Sequence, residues 1–440
     1  MSDDFLAAVD AAGGRLTFTG VDLAEVAKAV LPKPALKPTK GQQEALDLIH
    51  MLGGSLAAPG DVAVISGPAG TGKTSLLRLV DNEQRGRFVL TPTGKAASRV
   101  KVASGLDAQT IHKWQYHPEE DPLTGKVSFF RQHVADLRLP PDDVLLVDES
   151  SMISKDVWMD LHGFATELGL RVVLIGDGFQ LPPVETDFTK KAFSVFADDF
   201  PATYRVNLTE VLRQALESPI IRTVTGIRLG ANINDALAEW ETGEDLNDLA
   251  MKTWKEGGAI IVHRNATRQD LNRKMRALQG LRPDRLGTGE PLLVMKNDYE
   301  ADVFNGEVHT ADEVEYIGEA ICVDRYNGIS FEASFSWVRS GEREFTVCNE
   351  EIFGKLPDKF WHGALYRGAR LACLEARLDY RPFVQTNMGY VLTCHKSQGS
   401  EWPSVLVVVE PSLRMGGPEG RRWIYTALTR ARETLRVTFL

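Results

Sequence analysis

Cysteine is scarce in this chain, with four residues in 440, at positions 322, 348, 373 and 394. The four lie far apart and form no C-x-x-C pair, which is the spacing that zinc sites and redox motifs use. A disulfide framework needs several cysteines within a short chain. Neither kind of site is supported, and we expect all four cysteines to be reduced core residues.

Membrane-directing segments are also lacking. No apolar run approaches the ~18 residues that a membrane span needs, and Asp3 and Asp4 stand where a signal peptide would carry positive charge. We find no internal repeat and no low-complexity segment. Hydrophobic residues make up 43% and charged residues 25% of the chain, as in globular proteins. We therefore predict a cytoplasmic protein of two to four domains, with no membrane contact.

An excess of positive charge is missing as well, because the formal net charge is −10. This argues against general coating of nucleic acid. Between Arg264 and Arg285, however, seven basic residues outnumber Asp270 and Asp284. A channel for a polyanion would have such a stretch, and a solvated helix face explains it almost as well.

The strongest positive signal lies in residues 62–78, VAVISGPAGTGKTSLLR. An apolar run, the pattern G-x-x-x-x-G-K-[ST] and a helical pattern follow one another, which is the context in which this pattern binds phosphate. Backbone N–H groups of the loop and of the helix start point at phosphate oxygens. Lys73 can reach the β- and γ-phosphates, and the Thr74 hydroxyl can hold Mg²⁺. We predict a nucleoside triphosphate site formed by Gly67, Pro68, Ala69, Gly70, Thr71, Gly72, Lys73, Thr74 and Ser75.

Paired carboxylates follow a second apolar strand, at residues 144–147. In a triphosphate site, Asp148 would hold Mg²⁺ and Glu149 would orient and deprotonate the attacking water. A third strand, at residues 171–175, leads to Gln180. Its amide would lie at the edge of the sheet where ligands bind in open α/β folds, so it could sense the γ-phosphate. A strand that simply ends in acidic residues is common, but the phosphate loop upstream favours the catalytic interpretation.

The rest of the chain indicates an α/β fold of parallel sheets flanked by helices, with two interruptions. Residues 1–40 form a prelude with a short helix from Asp22 and a proline-containing linker. Residues 113–141 indicate a small β-hairpin, and residues 307–385 indicate a β-rich insertion of short strands. Thr91 and Thr93 could seat a backbone phosphate of a polymer. The composition alone favours a core or capping role for His112.

Eight blocks then resemble, in order, the motifs of superfamily 1 helicases: GPAGTGKT, TPTGKAA, TIHKW, VDESSM, GDGFQLPPV, LTEVLRQ, VLTCHKSQGSEW and YTALTRAR. The TIH block and the form of the seventh block are similar to the RecD-like branch. The chain length and the compact hairpin resemble the Dda-like phage helicases. The resemblance implies two RecA-like domains and a β-rich, SH3-like insertion. The implied boundaries are 41–205 for domain 1A (with 113–141 as the inserted 1B hairpin), 206–306 with 386–440 for domain 2A, and 307–385 for domain 2B.

The resemblance also implies an activity. It is that of an ATP-dependent DNA helicase that uses ATP and Mg²⁺, moves 5′ to 3′ on single-stranded DNA and unwinds duplexes in replication, recombination or repair. Single-stranded and forked DNA would be its substrates, and single-strand binding or replisome proteins its partners. The family further implies a monomer in the cytoplasm of a bacterial or phage-infected cell.

Roles for individual residues follow from the resemblance. Gln42 would contact adenine, with Gly399 and Glu401 completing the nucleotide site, and Phe129 and Phe130 would form the strand-separating pin. Independently of the resemblance, exposed aromatics of the hairpin region such as Trp114 could stack on bases, although packing beneath the hairpin is the commoner fate of such residues. The catalytic residues would be Lys73, Asp148, Glu149, Gln180 and two arginine fingers, Arg213 and Arg430. The other DNA contacts would be Thr91, Pro92, Thr93, His112, Asn265, Thr393, His395, Lys396 and Ser397.

Two other classes of protein stay open. A non-translocating P-loop ATPase, such as a ring-forming assembly protein, usually takes its arginine finger from a neighbouring subunit, whereas Arg213 and Arg430 share a chain with the phosphate loop. A binding module without catalysis would have no need of the intact catalytic set. RNA also stays open as the track, because no sequence motif here reads the 2′-OH.

Overall fold

In this computed structural model, the described residues are 37–54, 56–81, 87–120, 127–140, 142–183, 193–212, 215, 217–298, 300–325, 327–357, 360–379, 381–414 and 417–440. The helix predicted from Asp22 and the arginine finger predicted at Arg213 lie outside them. The strands of the described residues are β1 Val62–Ser66, β2 Phe88–Thr91, β3 Asp107–Thr110, β4 Tyr116–Glu120, β5 Val127–Arg131, β6 Val144–Val147, β7 Arg171–Gly176, β8 Tyr204–Asn207, β9 Ala259–Val262, β10 Pro291–Val294, β11 Val308–Thr310, β12 Glu313–Asp324, β13 Ile329–Ser340, β14 Arg343–Cys348, β15 Thr386–Met388, β16 Val391–Thr393, β17 Trp402–Val409 and β18 Ala431–Phe439.

Helices alternate with these strands through most of the chain. Short 3₁₀ turns occur at Val134–Asp136 and Ser150–Met152. The α-helices of the described residues are α1 Lys40–Leu52, α2 Lys73–Asp81, α3 Gly94–Ser104, α4 Ile111–Gln115, α5 Lys155–Glu167, α6 Pro219–Arg228, α7 Ile233–Ala238, α8 Leu246–Lys255, α9 Asn265–Leu278, α10 Asn349–Ile352, α11 His362–Glu375, α12 Cys394–Ser397, α13 Pro411–Arg414 and α14 Pro418–Leu428.

The first lobe is a six-stranded sheet in the order β3-β2-β6-β7-β1-β8, with the helices around it. Every pairing in this sheet is parallel. The inner strands β1, β2, β6 and β7 are continuous apolar runs and are almost wholly buried, as strands covered on both faces must be. Parallel strands bring their carboxyl ends to one edge, so the phosphate loop after β1 and the carboxylates after β6 are brought together.

The second lobe is a four-stranded parallel sheet in the order β16-β9-β17-β18. Val405, Val407 and Val409 of β17 pack with Trp423 and Ile424 of α14 in one buried cluster. Together with the first lobe, this sheet confirms the predicted α/β class with two parallel sheets. The exact domain boundaries stay a prediction.

Two antiparallel sheets lie between β9 and β16 in the chain. One has the order β11-β10-β15 and the other the order β12-β13-β14. The prediction of short strands was wrong here, because β12 and β13 each have 12 residues. The sequence analysis also missed α11, a 14-residue helix that packs on this sheet. Gly368 of α11 leaves no room for a Cβ beside Cys322, so the helix lies very close to the sheet.

The predicted hairpin is confirmed, with β4 and β5 paired antiparallel. Phe129 and Phe130 are about half exposed on it, at 51% and 49%. Trp114 is different: it is buried, and its indole N–H donates to the Arg138 carbonyl at 2.9 Å. The prediction that Trp114 stacks on bases was therefore wrong, because this ring packs in the core of the first lobe.

No helix among the described residues has both the length and the apolar character that crossing a membrane requires.

Candidate active site

The phosphate loop lies between β1 and α2, as its sequence pattern predicts. Gly70 and Gly72 have φ angles of 82° and 78°, a backbone conformation that favours glycine. A Cβ on Gly72 would lie 2.6 Å from the amide nitrogen of Gln42. The Lys73 ammonium donates to the carbonyls of Gly67 and Pro68, at 2.7 and 3.0 Å. The lysine thus lies along the loop at the place where phosphate oxygens would bind.

Gln42 is buried against this loop at the start of α1. Its side-chain oxygen accepts the Thr39 N–H, and the Thr39 hydroxyl accepts the Gln42 N–H in return, which is a capping box. The Gln42 amide N–H also donates to the Gly72 carbonyl at 3.0 Å. Gln42 therefore fixes the position of α1 against the loop, and its contact with adenine stays a prediction.

Asp148 and Glu149 follow β6 and are 3% and 4% exposed. Burial and the adjacent Glu149 raise the pKa of Asp148, although Arg99 and Lys73 oppose the rise. Burial would also raise the pKa of Glu149, but the cations Arg99, Arg430 and Lys73 together lower it. The pKa values of the two carboxyl groups are therefore shifted in opposite directions, and Glu149 gives up its proton more readily than Asp148.

Arg99 of α3 is the residue that holds Glu149, and the sequence analysis missed it. Its guanidinium donates to the Glu149 carboxylate and forms a second ion pair with Glu401, at 3.4 Å. Glu401 also pairs with Arg432 at 3.3 Å. Arg99 is in the block TPTGKAASR, two turns of helix after a predicted DNA contact. Arg99 lies three residues after Ala96, which is buried, and residues three apart share a helix face, so this spacing is the signal that could have identified it.

Several hydrogen bonds join the two lobes beside the phosphate loop. The Tyr425 hydroxyl of α14 accepts the Ala69 N–H at 2.9 Å and donates to the Asp177 carboxylate at 2.6 Å. Leu181 donates its N–H to the Thr426 hydroxyl and accepts from the Gln398 amide at 2.9 Å. These contacts make the cleft a joint site of both lobes, which no single sequence block could reveal.

Gln180 and Arg430 both face this cleft region. Gln180 is 6% exposed, and its side-chain oxygen has no partner among the described residues. Arg430 is 2% exposed and donates to the Thr426 and Ser400 carbonyls and to the Thr429 hydroxyl. Arg430 also lowers the pKa of Glu149, so it lies within electrostatic reach of the carboxylates.

The predicted DNA contacts lie on both lobes, and some have buried side chains. Thr93 caps α3 by accepting the Ala96 N–H. The Thr91 hydroxyl donates to the Thr93 carbonyl, and the Ser397 hydroxyl donates to the Cys394 carbonyl. Thr91 and Ser397 are buried, and their hydroxyls already bind the backbone. Pro92 is half-buried and Thr393 is buried, while His112, Asn265, Phe129 and Phe130 are exposed.

Three ionisable side chains are predicted DNA contacts or lie close to one in the sequence: Lys95, His395 and Lys396. The Lys396 ammonium donates to the Asn305 side chain at 2.7 Å. Burial and the nearby His263 lower the pKa of His395, which is therefore neutral at pH 7. Lys95 lies 4.6 Å above the Trp402 ring, and burial lowers its pKa to about 8. The sequence analysis did not single out Lys95.

The basic stretch from Arg264 to Arg285 is not a free cationic track. Arg276 is buried and paired with Glu290, and Arg268 is also buried. The other ion pairs of this stretch are Arg264–Glu410, Arg273–Asp270, Lys274–Asp270 and Arg282–Asp284. The interpretation as a polyanion channel is therefore weakened.

A cation site fits the oxygen donors of Thr74 and Asp148. Thr74 is in the first turn of α2, beside the loop, and the Asp148 carboxylate is buried after β6. Hard cations such as Mg²⁺ prefer such oxygen ligands and keep several waters. Within the described part of the chain, no group of three or more His, Cys, Asp or Glu side chains is arranged to hold a metal ion.

Comparison with known proteins shows which families and proteins this chain resembles. Residues 39–247 match the family model of the AAA domain, and residues 388–438 match that of the UvrD-like helicase C-terminal domain. The ATP-dependent RecD2 DNA helicase of Deinococcus radiodurans is 29% identical over 427 residues, which are 92% of this chain and 49% of that protein. The ATP-dependent DNA helicase dda of Enterobacteria phage T4 is 31% identical over 201 residues, which are 44% of this chain and 43% of dda. The chain spans about half the length of these relatives or less.

Solved structures agree on the fold. The Pif1 helicase from Bacteroides in complex with ADP-AlF3 and ssDNA has a TM-score of 0.55 and 18% identity, with 92% of each chain covered. Two coordinating Pif1 helicases at forked dsDNA give a TM-score of 0.54 and 20% identity, again covering 92% of each chain. Both parallel sheets of the described chain therefore have counterparts in those helicases. In sequence the chain is therefore similar to ATP-dependent DNA helicases named RecD2, PIF1 and dda, and its two matching family models are the AAA domain and the UvrD-like helicase C-terminal domain.

Proposed function

We propose that this protein is an ATP-dependent DNA helicase that moves 5′ to 3′ on single-stranded DNA and unwinds duplexes. One observation carries the proposal. The phosphate loop and Glu149 of the first lobe share a cleft with Arg430 and Tyr425 of the second lobe. A cleft between two mobile lobes is the arrangement by which nucleotide turnover drives a hinge motion.

The chemistry would divide among the residues of the cleft. Lys73 would leave the loop carbonyls to bind the β- and γ-phosphates, and Glu149 would take a proton from the attacking water. Arg430 and Arg213 would stabilise the charge that develops on the transferred phosphoryl group. Thr74 and Asp148 would hold Mg²⁺, which would supply positive charge to the phosphate oxygens.

Movement along DNA would follow from the position of the DNA contacts on both lobes. Thr93 belongs to the first lobe, and a Cβ on Gly399 of the second lobe would lie 3.5 Å from its hydroxyl. Closure and opening of the cleft would shift these contacts relative to one another. If each lobe binds the strand with different affinity in the two states, every turnover advances the protein.

The wider assignments rest on the same proposal. Domains 1A, 1B, 2A and 2B would have the boundaries predicted above, with the chain acting as a monomer in the cytoplasm. Single-stranded and forked DNA are its proposed substrates, and single-strand binding or replisome proteins its proposed partners. Relatives from a bacterium and a phage, named as ATP-dependent DNA helicases, support this setting.

Unwinding of forked DNA tests the proposal directly. Forks with only a 5′ tail or only a 3′ tail are compared, with Lys73→Ala as the inactive control. ATP-dependent separation of the 5′-tailed fork supports the proposal, and separation of only the 3′-tailed fork reverses the polarity. Preference for RNA tails would change the substrate class. ATP turnover in a ring-sized species, with no unwinding of either fork, would favour the non-translocating ATPase.

A further inference from the structure

Helix α3 connects a predicted DNA contact to the catalytic base. It begins after Thr93, whose hydroxyl accepts the Ala96 N–H at 3.3 Å and whose carbonyl accepts the Ala97 N–H. Arg99 is in the same helix, and its guanidinium reaches Glu149. A helix of 11 residues moves largely as one body, so any displacement at Thr93 is transmitted to Arg99.

The contact between Arg99 and Glu149 occupies the carboxylate that the reaction needs. Glu149 is 4% exposed, and no other side chain among the described residues donates a hydrogen bond to it. Its backbone is in the left-handed region, with φ of 52°, which is uncommon for glutamate and costs conformational energy. A carboxylate engaged by a guanidinium has fewer lone pairs free for a water molecule. The Glu149 carboxylate is therefore held in a conformation that does not favour proton transfer from the attacking water.

The start of α3 lies against the second lobe and its neighbouring loop. Gly94 leaves no room for a Cβ beside the Phe304 ring, and the Lys95 ammonium is 3.4 Å from the Gly306 carbonyl. Arg99 itself forms the ion pair with Glu401. A DNA strand bound at Thr93 would lie between α3 and the second lobe and would contact the first turn of α3.

We propose that Arg99 is a positioning residue that withholds the base Glu149 until DNA binds at the start of α3. This inference rests on the proposed function, since it assumes that Glu149 is the base and that DNA contacts Thr93. DNA binding shifts α3, Arg99 releases Glu149 while keeping its ion pair with Glu401, and the freed carboxylate orients the water. Nucleotide turnover is thereby kept low away from DNA.

The experiment measures steady-state ATP turnover with and without saturating oligo(dT), for the wild type and Arg99→Ala. We expect the DNA-free kcat to rise about tenfold, because a charge-assisted hydrogen bond of ordinary strength shifts an equilibrium by roughly that factor. The DNA-saturated kcat should stay within about twofold of wild type. The ratio of stimulated to basal turnover therefore collapses, while KM for ATP and the affinity for oligo(dT) stay unchanged.

Two further variants keep the test interpretable. Lys101→Ala is the matched control, since Lys101 is on the same helix but forms an ion pair with Asp107, with both side chains 53% exposed. It should leave both turnover rates unchanged. Arg99→Lys keeps the charge without the forked geometry and should give an intermediate rise, which covers the case that Arg99→Ala does not fold.

Two results overturn the inference. Loss of turnover both with and without DNA would mean that Arg99 supports the active posture of Glu149. An unchanged ratio in Arg99→Ala and Arg99→Lys would mean that the contact is purely structural. Failure of the proposed function gives different results: wild-type turnover would not respond to oligo(dT), or Glu149→Gln would still hydrolyse ATP.

Discussion

At the scale of single residues, the charged groups of the cleft are bound to each other or to backbone carbonyls. Lys73 contacts two carbonyls of its own loop, Arg430 contacts three acceptors of its own lobe, and Glu149 contacts Arg99. Each group must exchange a present partner for a phosphate or a water molecule when it acts. The difference in free energy between the two sets of partners therefore decides how readily the site becomes active.

Arg430 is hydrogen-bonded within its own lobe and is also the proposed arginine finger. Arg430→Ala should lower the unfolding free energy by at least about 2 kcal/mol, because buried acceptors lose a charged donor. It should also lower kcat by about 10³-fold with near-normal ATP binding, since an arginine finger acts mainly on the transition state. Thermal unfolding, an ATP-binding titration and steady-state kinetics on the same preparation separate the two effects. A raised KM with kcat retained would place Arg430 outside the catalytic group.

The Tyr425 hydroxyl can be tested by removing one oxygen atom. Tyr425→Phe leaves the buried Asp177 carboxylate and the Ala69 N–H without this partner, which should cost about 1–3 kcal/mol of unfolding free energy. Tyr316→Phe is the matched control, because the Tyr316 hydroxyl bonds the Glu319 side chain in an exposed region. Its effect should stay within about 0.5 kcal/mol. Equal effects of the two substitutions in chemical denaturation would contradict the role of Tyr425 in joining the lobes.

At the scale of elements, the hairpin β4–β5 presents two phenyl rings to solvent while its base is fixed. The Phe130 ring stacks on His117, and the Phe129 ring meets His112 edge-on. Arg131 anchors the hairpin through Asp160 of α5 at 2.7 Å. The two rings are therefore free to contact a DNA fork, and the fold of the hairpin does not depend on them.

Replacing both phenyl rings tests whether the hairpin separates strands. The double variant Phe129→Ala, Phe130→Ala should keep most DNA-stimulated ATP turnover and lose fork unwinding, because stacking is worth about 1–3 kcal/mol per base. Leu229→Ala, which truncates another exposed apolar side chain, is the control and should change neither activity. A parallel fall of turnover and unwinding would mean that the rings are structural, and no change in either would mean that another element parts the strands.

Elements with strong local signals were predictable, and those defined by packing were not. The phosphate loop and the inner strands follow from glycine spacing and continuous apolar runs. The helix α11 buries Ala364, Leu365, Gly368, Ala369 and Ala372, a helical spacing that the sequence carries. It was missed because the surrounding aromatic and acidic residues suggested strands. The length of β12 and β13 depends on their pairing, which has no local signal.

At the scale of the whole molecule, DNA binding should depend on only a few cations. The ion pairs within the basic stretch of residues 264–285 neutralise much of its charge, whereas Lys95 and Lys396 adjoin the predicted DNA contacts. For single strands, log K falls by roughly 0.7 per phosphate neutralised for each unit of log salt, so we expect a slope of about −2 to −4. Fluorescence anisotropy with oligo(dT) and mixed-sequence strands, over a range of salt, measures it. A slope near zero, or strong sequence preference, would contradict backbone recognition.

The candidate site was only partly predictable from the sequence, because some of its residues are brought in by packing between distant segments. Lys73, Asp148, Glu149 and Gln180 each follow a strand of one sheet, so the topology of parallel strands brings them together. Arg99 and Tyr425 act through contacts with distant segments, which become visible only when both lobes are in place. The buried state of Thr91, Ser397 and Trp114 likewise depends on packing around them rather than on their own motifs.

The chain order of the second lobe has a consequence for how the protein folds. Ile260 of β9 pairs with Val391 of β16 and with Leu406 of β17, so this strand has no neighbours in its sheet until those two later strands have been synthesised. The first lobe, in contrast, has its last strand at Tyr204–Asn207. Non-local pairing of this kind slows folding, and domains tend to fold as they emerge during synthesis. The first lobe should therefore fold on the ribosome before β16 and β17 have been synthesised, while the apolar faces of β9 are still uncovered.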